Sequence, residues 1–226
     1  MHQNMNISRS LFVLAVFLLA GSTIYAQSSF QAGITLGSNY STLRSDLFSS
    51  SNGRAGLAAG ASMILHLNDR VELNQEVVFA QKGASVQAVR MLSQENIQSY
   101  TYNYHYNTFE TGLFAGVQPV AVVPVRLQLG GFFGSHFQQL DNSQRDLYLS
   151  DFSQNSQPFP VVKLNAAFSG IDFGPAAGVS VGTQRVRFNA RYYFGMRNLY
   201  DNLDFVPAGH HIHTRALRVS LTYLLQ

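Results

Sequence analysis

The sequence predicts an all-β chain: an eight-stranded antiparallel up-and-down transmembrane β-barrel, preceded by a cleavable signal peptide. Three observations predict it. An uncharged apolar run stands near the N-terminus, eight later segments alternate apolar with polar or small residues, and the connections between those segments alternate in length.

Residues 11–20 read LFVLAVFLLA after a start with one basic residue, Arg9. Gly21, Ser22 and Thr23 then break the run, and Ala26 supplies a small residue before Gln27. Charged start, apolar run and cleavage site in that order are those of a secretory signal peptide. The run is short for a membrane helix, which needs about 20 apolar residues. The expected division is therefore 1–26 signal peptide and 27–226 barrel domain, with an outer-membrane location.

The eight segments carry the period of two that gives a strand two unlike faces. In the first, Phe30, Ile34 and Leu36 alternate with Gln31, Gly33 and Thr35. In the second, Leu57, Ala59 and Ala61 alternate with Ala58, Gly60 and Ser62. The third sets Val71, Leu73, Val77 and Phe79 against Glu72, Asn74, Glu76 and Lys82, with Gln75 and Gln81 as polar exceptions on the apolar face. The fourth sets Phe109, Leu113 and Ala115 against Glu110, Gly112 and Gly116, and the fifth sets Leu127, Leu129 and Phe133 against Gln128, Gly130 and Gly134. Phe173, Ala177 and Val179 oppose Asp172, Gly174 and Gly178 in the sixth. The seventh is the clearest, with Val186, Phe188, Ala190, Tyr192 and Phe194 against Arg187, Asn189, Arg191 and Tyr193. In the eighth, Leu217, Val219, Leu221 and Tyr223 oppose Arg218, Ser220 and Thr222. Bacterial single-chain barrels have an even number of strands, and eight satisfies that.

The connections give an independent argument. Long ones are expected at 41–53, 83–106, 138–169 and 199–213, and short ones at 68–69, 118–124 and 182–184. Outer-membrane barrels combine short periplasmic turns with long outer loops, whereas a soluble sandwich has no reason to. In lipid every backbone amide must be paired, so the sheet must close. Eight strands leave an interior that side chains fill, which excludes an open diffusion pore.

Composition agrees. Only 12% of residues are charged, against 17 Phe, 11 Tyr and 18 Gly. The net charge of +3 includes only two lysines, Lys82 and Lys163, and no basic stripe, so nucleic acid is not an expected partner. The absence of cysteine excludes disulfides, thiolate metal sites and a lipid-modified cysteine anchor.

The residues that carry family character are Gln31-Ala-Gly-Ile-Thr-Leu-Gly-Ser-Asn-Tyr-Ser, residues 76–83, Ile171-Asp-Phe-Gly-Pro-Ala-Ala-Gly, Asn189-Ala-Arg-Tyr-Tyr-Phe-Gly and Leu217-Arg-Val-Ser-Leu-Thr-Tyr-Leu. On these, from about Phe30 onward, the chain resembles the PorT-like outer-membrane β-barrel family of Gram-negative bacteria. It departs at Thr111-Gly-Leu, where members often carry proline, and at Gln226, where an aromatic is usual. The resemblance implies an outer-membrane location and, for some members, a part in secretion or gliding machinery. It implies little about chemistry, since most members have no assigned activity.

The inward parity collects charges expected to pair inside the barrel. Glu72, Arg126 and Arg187 are expected low, near the short turns. Glu76, Arg191 and Arg218 are expected near the middle, and Glu110, Asp172, Arg54 and Arg197 higher, with strand tilt shearing these levels. Buried charges must pair, so ion-pair networks that plug the lumen are expected in preference to an ion path. Arg191 is expected to meet Glu76.

Other constellations are weaker. His210, His211 and His213 in the last outer loop, beside Asp201 and Asp204, could bind a metal but lack a second ligand group at diagnostic spacing, so no metal and no cofactor are expected. A lipid A-modifying enzyme would need a base and nucleophile from His66, His105, His136, Ser135, Ser150 and Asp141. Ser135 and His136 point to opposite faces, and no catalytic residue is assigned. A secreted, soluble lipocalin-like binder is a further alternative, with apolar residues turned inward. The segment 138–169 carries Asp141, Arg145, Asp146 and Asp151, and Tyr100, Tyr102, Tyr104 and Tyr106 alternate in 83–106. Both segments are candidates for a protein-partner surface, and the second equally for strands that prolong the wall. The expected function is a non-catalytic, monomeric outer-membrane barrel in contact with lipid, with a structural, docking or secretion-associated role.

Overall fold

The computed structural model describes residues 29–45, 51–93, 96–137, 147–149, 170–199 and 211–225. The signal peptide expected at 1–26, most of 138–169 and His210 lie outside them. Nine strands are found among the described residues: β1 (Ser29–Ser45), β2 (Ser51–His66), β3 (Val71–Ser93), β4 (Asn96–Val117), β5 (Val125–Phe137), β6 (Leu147–Leu149), β7 (Ile171–Gly182), β8 (Val186–Phe194) and β9 (Ile212–Leu225). All but β6 form an antiparallel meander that closes where β9 pairs with β1, from Ala32 opposite Leu225 to Ser45 opposite Ile212.

Three local devices make the short turns. Asn68 Oδ1 accepts the amides of Arg70 at 2.9 Å and Val71 at 2.8 Å, an Asx turn that reverses β2 into β3. Thr183 Oγ1 accepts from the amides of Arg185 and Val186, both at 3.3 Å, between β7 and β8. Gln118 Nε2 reaches the carbonyls of Val120, Ala121 and Val123 and so organises the turn from β4 to β5.

Alternation becomes a two-sided wall. Leu57 is 69% exposed and Leu129 67%, and Leu36, Phe109, Leu113, Phe133, Leu221 and Tyr223 also face outward. In water so continuous an apolar belt would be a liability; against lipid it costs nothing. A lipocalin-like binder needs the opposite orientation, and that reading is set aside. Inward positions hold the polar residues together with a small aromatic cluster of Phe114, Phe132, Ala176, Tyr193 and Ala216.

Of the two readings of residues 83–106, an outer loop or strands that prolong the wall, the second is found: β3 and β4 run in register from Val71 opposite Val117 up to Met91 opposite Ile97. The alternation of Tyr102, Tyr104 and Tyr106, all buried, with exposed Thr101, Asn103 and His105 is that of a wall prolonged beyond the barrel. Strand β2 accompanies β3 only as far as Ser51 opposite Val86, and β6 takes up the vacated edge at Ala88, Val89 and Arg90.

Candidate functional site

Among the described residues the interior contains three ion-pair clusters and a further buried carboxylate, Asp172. In the lowest, Glu72 is fully buried, and Arg187 NH1 donates to both its oxygens at 2.6 and 2.7 Å. Arg126 Nε lies 3.1 Å and His66 Nδ1 3.6 Å from the same carboxylate. Next along the wall, Arg191 NH1 stands 2.6 Å from Glu76, and Nε donates to Gln128 Oε1 at 2.6 Å. Its guanidinium carbon lies 4.2 Å from the Phe114 ring centroid, a cation–π arrangement out of water.

The third cluster is built on Glu110, which receives both Arg218 and Lys82. Arg218 Nε also donates to Asn39 Oδ1 at 2.8 Å, and NH1 to the Tyr193 hydroxyl at 3.2 Å. Lys82 Nζ lies 5.3 Å from the Phe132 centroid and 5.7 Å from that of Tyr193. Above these, the buried Asp172 accepts a hydrogen bond from Thr214 Oγ1.

Glycine makes room for these side chains. Glu72 stands directly opposite Gly116 and Glu76 opposite Gly112. Glu110 and Asp172 flank the same Gly134 from its two sides, and Gly178 faces Arg191. A Cβ on Gly116 would lie 2.9 Å from Glu72 Cγ, and one on Gly178 would lie 2.7 Å from Arg191 Cγ. At Gly116, Gly134 and Gly178 neighbouring charged side chains fill the gap, and at Gly112 the Phe114 ring does, its Cε2 2.7 Å from where a Cβ would stand.

Of the ten charges expected inside, Glu72, Glu76, Glu110, Asp172, Arg187, Arg191 and Arg218 are buried, and Arg126 is part-exposed at the short-turn end. Arg54 is part-exposed beside the irregularity that separates Gly53 from Ala58, its Cδ 3.1 Å from where a Cβ on Gly83 would stand. Arg197 lies beyond the end of β8, at the rim, where its carbonyl meets His213 Nδ1 at 3.2 Å. Sequence reasoning placed Lys82 on the inward face without giving it a partner, and it did not single out Gln128, Asn39 or the inward Phe114 and Phe132. Their parity, shared with Gly130, Gly134 and Glu110, was the available signal.

The residues weighed for catalysis are scattered. His136 is buried inside, and His105 is exposed on the outer side of β4. His66 belongs to the cluster at the opposite end, and Ser150 and Asp141 lie outside the described residues. His211 and His213 stack with centroids 5.9 Å apart, and among the described residues no group of three or more His, Asp or Glu is arranged to hold a metal ion.

One protein-family model, described as the outer membrane protein beta-barrel domain, matches residues 25–201. No curated protein matches the chain. Neisserial surface protein A (NspA) is 14% identical, with 88% of this chain and 99% of that chain covered and a TM-score of 0.42. Ail, the attachment invasion locus protein of Yersinia pestis, is 12% identical over 86% of this chain and 98% of its own, at a TM-score of 0.41. OprG from Pseudomonas aeruginosa is 8% identical, with 88% and 95% covered and a TM-score of 0.39.

Proposed function

This chain belongs to the outer membrane protein β-barrel domain family, and from that premise we propose that it is a non-catalytic barrel with a structural, docking or secretion-associated role. The observation that carries the reading is the filled interior. Arg191, Glu72, Glu76, Phe114 and Tyr193 are among its largest fully buried side chains. Among the described residues, charges paired inside the ring occupy the space that a solute path or a substrate pocket would need, which supports this reading. What remains for function is the outer wall and the end with the long connections.

At that end the β3–β4 hairpin offers a polar outer face with Ser85, Thr101, Asn103 and His105, where Ser85 Oγ donates to Asn103 Oδ1 at 2.6 Å. We take this face, with residues 138–169, as the surface for a protein partner, and the barrel as a monomer. The PorT-like motifs in β7 and β8 support the secretion-associated part of the reading. Residues 1–26 are read as a signal peptide, so the chain recovered from outer membranes should begin at Gln27.

Two measurements test the reading. In planar bilayers the refolded protein should give no stepwise conductance; a steady open channel would overturn it. A strain lacking the protein should lose outer-membrane integrity or export of a surface protein. The wild type should restore the lost trait, and a variant with residues 87–102 replaced by a tight turn should not. An unchanged deletion strain rejects both roles.

A further inference from the structure

Glu72, Glu76 and Glu110 face inward and are engaged by the ion-pair clusters, and Asp172 is buried beside Thr214. Two arginines sit on the lipid-facing wall at the end away from the short turns. Arg44, near the top of β1, is exposed and pairs in register with His213 on β9. Arg215, two residues below His213, pairs with Thr42 on one side and Phe194 on the other. The two arginines are thus diagonal neighbours, a spacing of about 7–8 Å between backbones.

Their height is informative. Ten residues separate Leu225 from Arg215 (225 − 215). At a rise of about 3.3 Å per residue and a tilt of about 40°, they climb about 25 Å, the height of the apolar band in such barrels. Arg215 therefore stands at the upper edge of the belt, and Arg44 and His213 stand just above it, among lipid headgroups. Outward Tyr40, Tyr192 and Phe194 lie nearby, as an interfacial girdle should.

Arg215 is held in place. NH1 donates to the carbonyls of Gly195 and Thr214, both at 2.7 Å, and the guanidinium carbon lies 5.8 Å from the Phe194 centroid. Those bonds leave Nε and NH2 as donors for something else. Among the described residues the carboxylates are Asp69, in the turn at the opposite end, and the inward Glu72, Glu76, Glu110 and Asp172. No described acid neutralises this patch.

We propose that Arg44 and Arg215, with His213 between them, form a lipid-facing site for the phosphate group of a glycolipid headgroup in the outer leaflet. A tetrahedral phosphate accepts from two guanidinium groups at once, and the headgroup level is where a lipid carries that phosphate.

The test uses the full barrel refolded in phosphatidylcholine vesicles, with lipid retention read by native mass spectrometry. The wild type should retain bisphosphorylated lipid A over its dephosphorylated form. Arg44→Gln with Arg215→Gln should lower retention of the phosphorylated form by about tenfold or more, the loss expected for two charge-assisted contacts. Arg44→Lys with Arg215→Lys should keep part of it, and heat-modifiable gel mobility should report all three proteins as folded. Equal retention by the wild type and the glutamine variant overturns the proposal. So does an equal loss for phosphatidylglycerol, which would mean unspecific attraction to anionic lipid. Displacement of lipid A by millimolar inorganic phosphate would assign the site to free phosphate and overturn the lipid reading.

Discussion

Arg191 on β8 and Arg218 on β9 stand directly opposite each other in register, both inside the barrel, and each reaches a different carboxylate. Like charges in that position repel. Here one guanidinium goes to Glu76 on β3 and Gln128 on β5, and the other to Glu110 on β4 and Asn39 on β1. Two adjacent strands are thereby tied to β3, β4 and β5, with Asn39 holding Arg218 from the neighbouring β1, and the repulsion is offset by separate anchorage.

Removing one partner should expose the cost. Arg191→Met leaves Glu76 buried and unpaired, a loss of about 3–5 kcal/mol. Adding Glu76→Gln should recover part of that loss, since the orphaned charge disappears. Urea unfolding followed by heat-modifiable mobility measures both, and a harmless Arg191→Met would refute the pairing.

Glu110 serves two cations, so its removal should outweigh removal of either. Glu110→Gln leaves Lys82 and Arg218 facing each other and should cost about 5 kcal/mol, the top of the range for a broken buried pair. Lys82→Met leaves Glu110 with Arg218 and should cost less. The double variant should be more stable than Glu110→Gln alone, and a double variant less stable than either single change would contradict the shared arrangement.

Adjacent glycines should behave differently. A Cβ on Gly130 would come 2.0 Å from the Leu113 carbonyl oxygen and 2.7 Å from Phe114 Cα, both backbone and unable to yield cheaply. Gly130→Ala should therefore cost about 1–3 kcal/mol or more. On Gly131 the nearest atom would be 3.5 Å away, an ordinary contact. Gly131→Ala should change stability by no more than about 0.5 kcal/mol.

The outer face supplies a complementary test. Ala190 faces lipid on β8, opposite Val179 on β7 and Val219 on β9. Ala190→Arg places a charge near the bilayer midplane and should cost about 2–4 kcal/mol. Glu76→Gln should rescue none of it, because the new charge lies on the other side of the wall. Rescue would mean that the strand parity is wrong.

Parity was legible in the sequence because a strand's period is two and lipid demands one apolar face. Phe188, Ala190 and Tyr192 against Arg187, Asn189 and Arg191 leave little freedom. The meeting of particular charges was less legible, because tilt shears the strands against each other. Glu110 and Arg218 look one level apart along the chain, yet they share an ion pair. Lys82 read as one polar residue among several because Glu110, on the adjacent β4, stands opposite Val78, and only the reach of the two inward side chains over four residues brings them together. The hairpin at 83–106 looked like a loop because its polar composition stops matching lipid above the belt, although backbone pairing continues without it. Phe114 and Phe132 stand inward beside the cations, where an apolar-out rule does not anticipate an aromatic.

The seam between β1 and β9 also governs timing. Until β9 is delivered, β1 has a single neighbour, and every other hairpin can form before the ring can. A chain arrested after Phe194 carries two raw edges, each a row of unanswered amides and carbonyls that neither lipid nor a neighbouring copy should be allowed to meet. The two edges vanish together only when β9 meets β1, so the closed ring hides rows of amides and carbonyls that the same chain one strand short would leave bare.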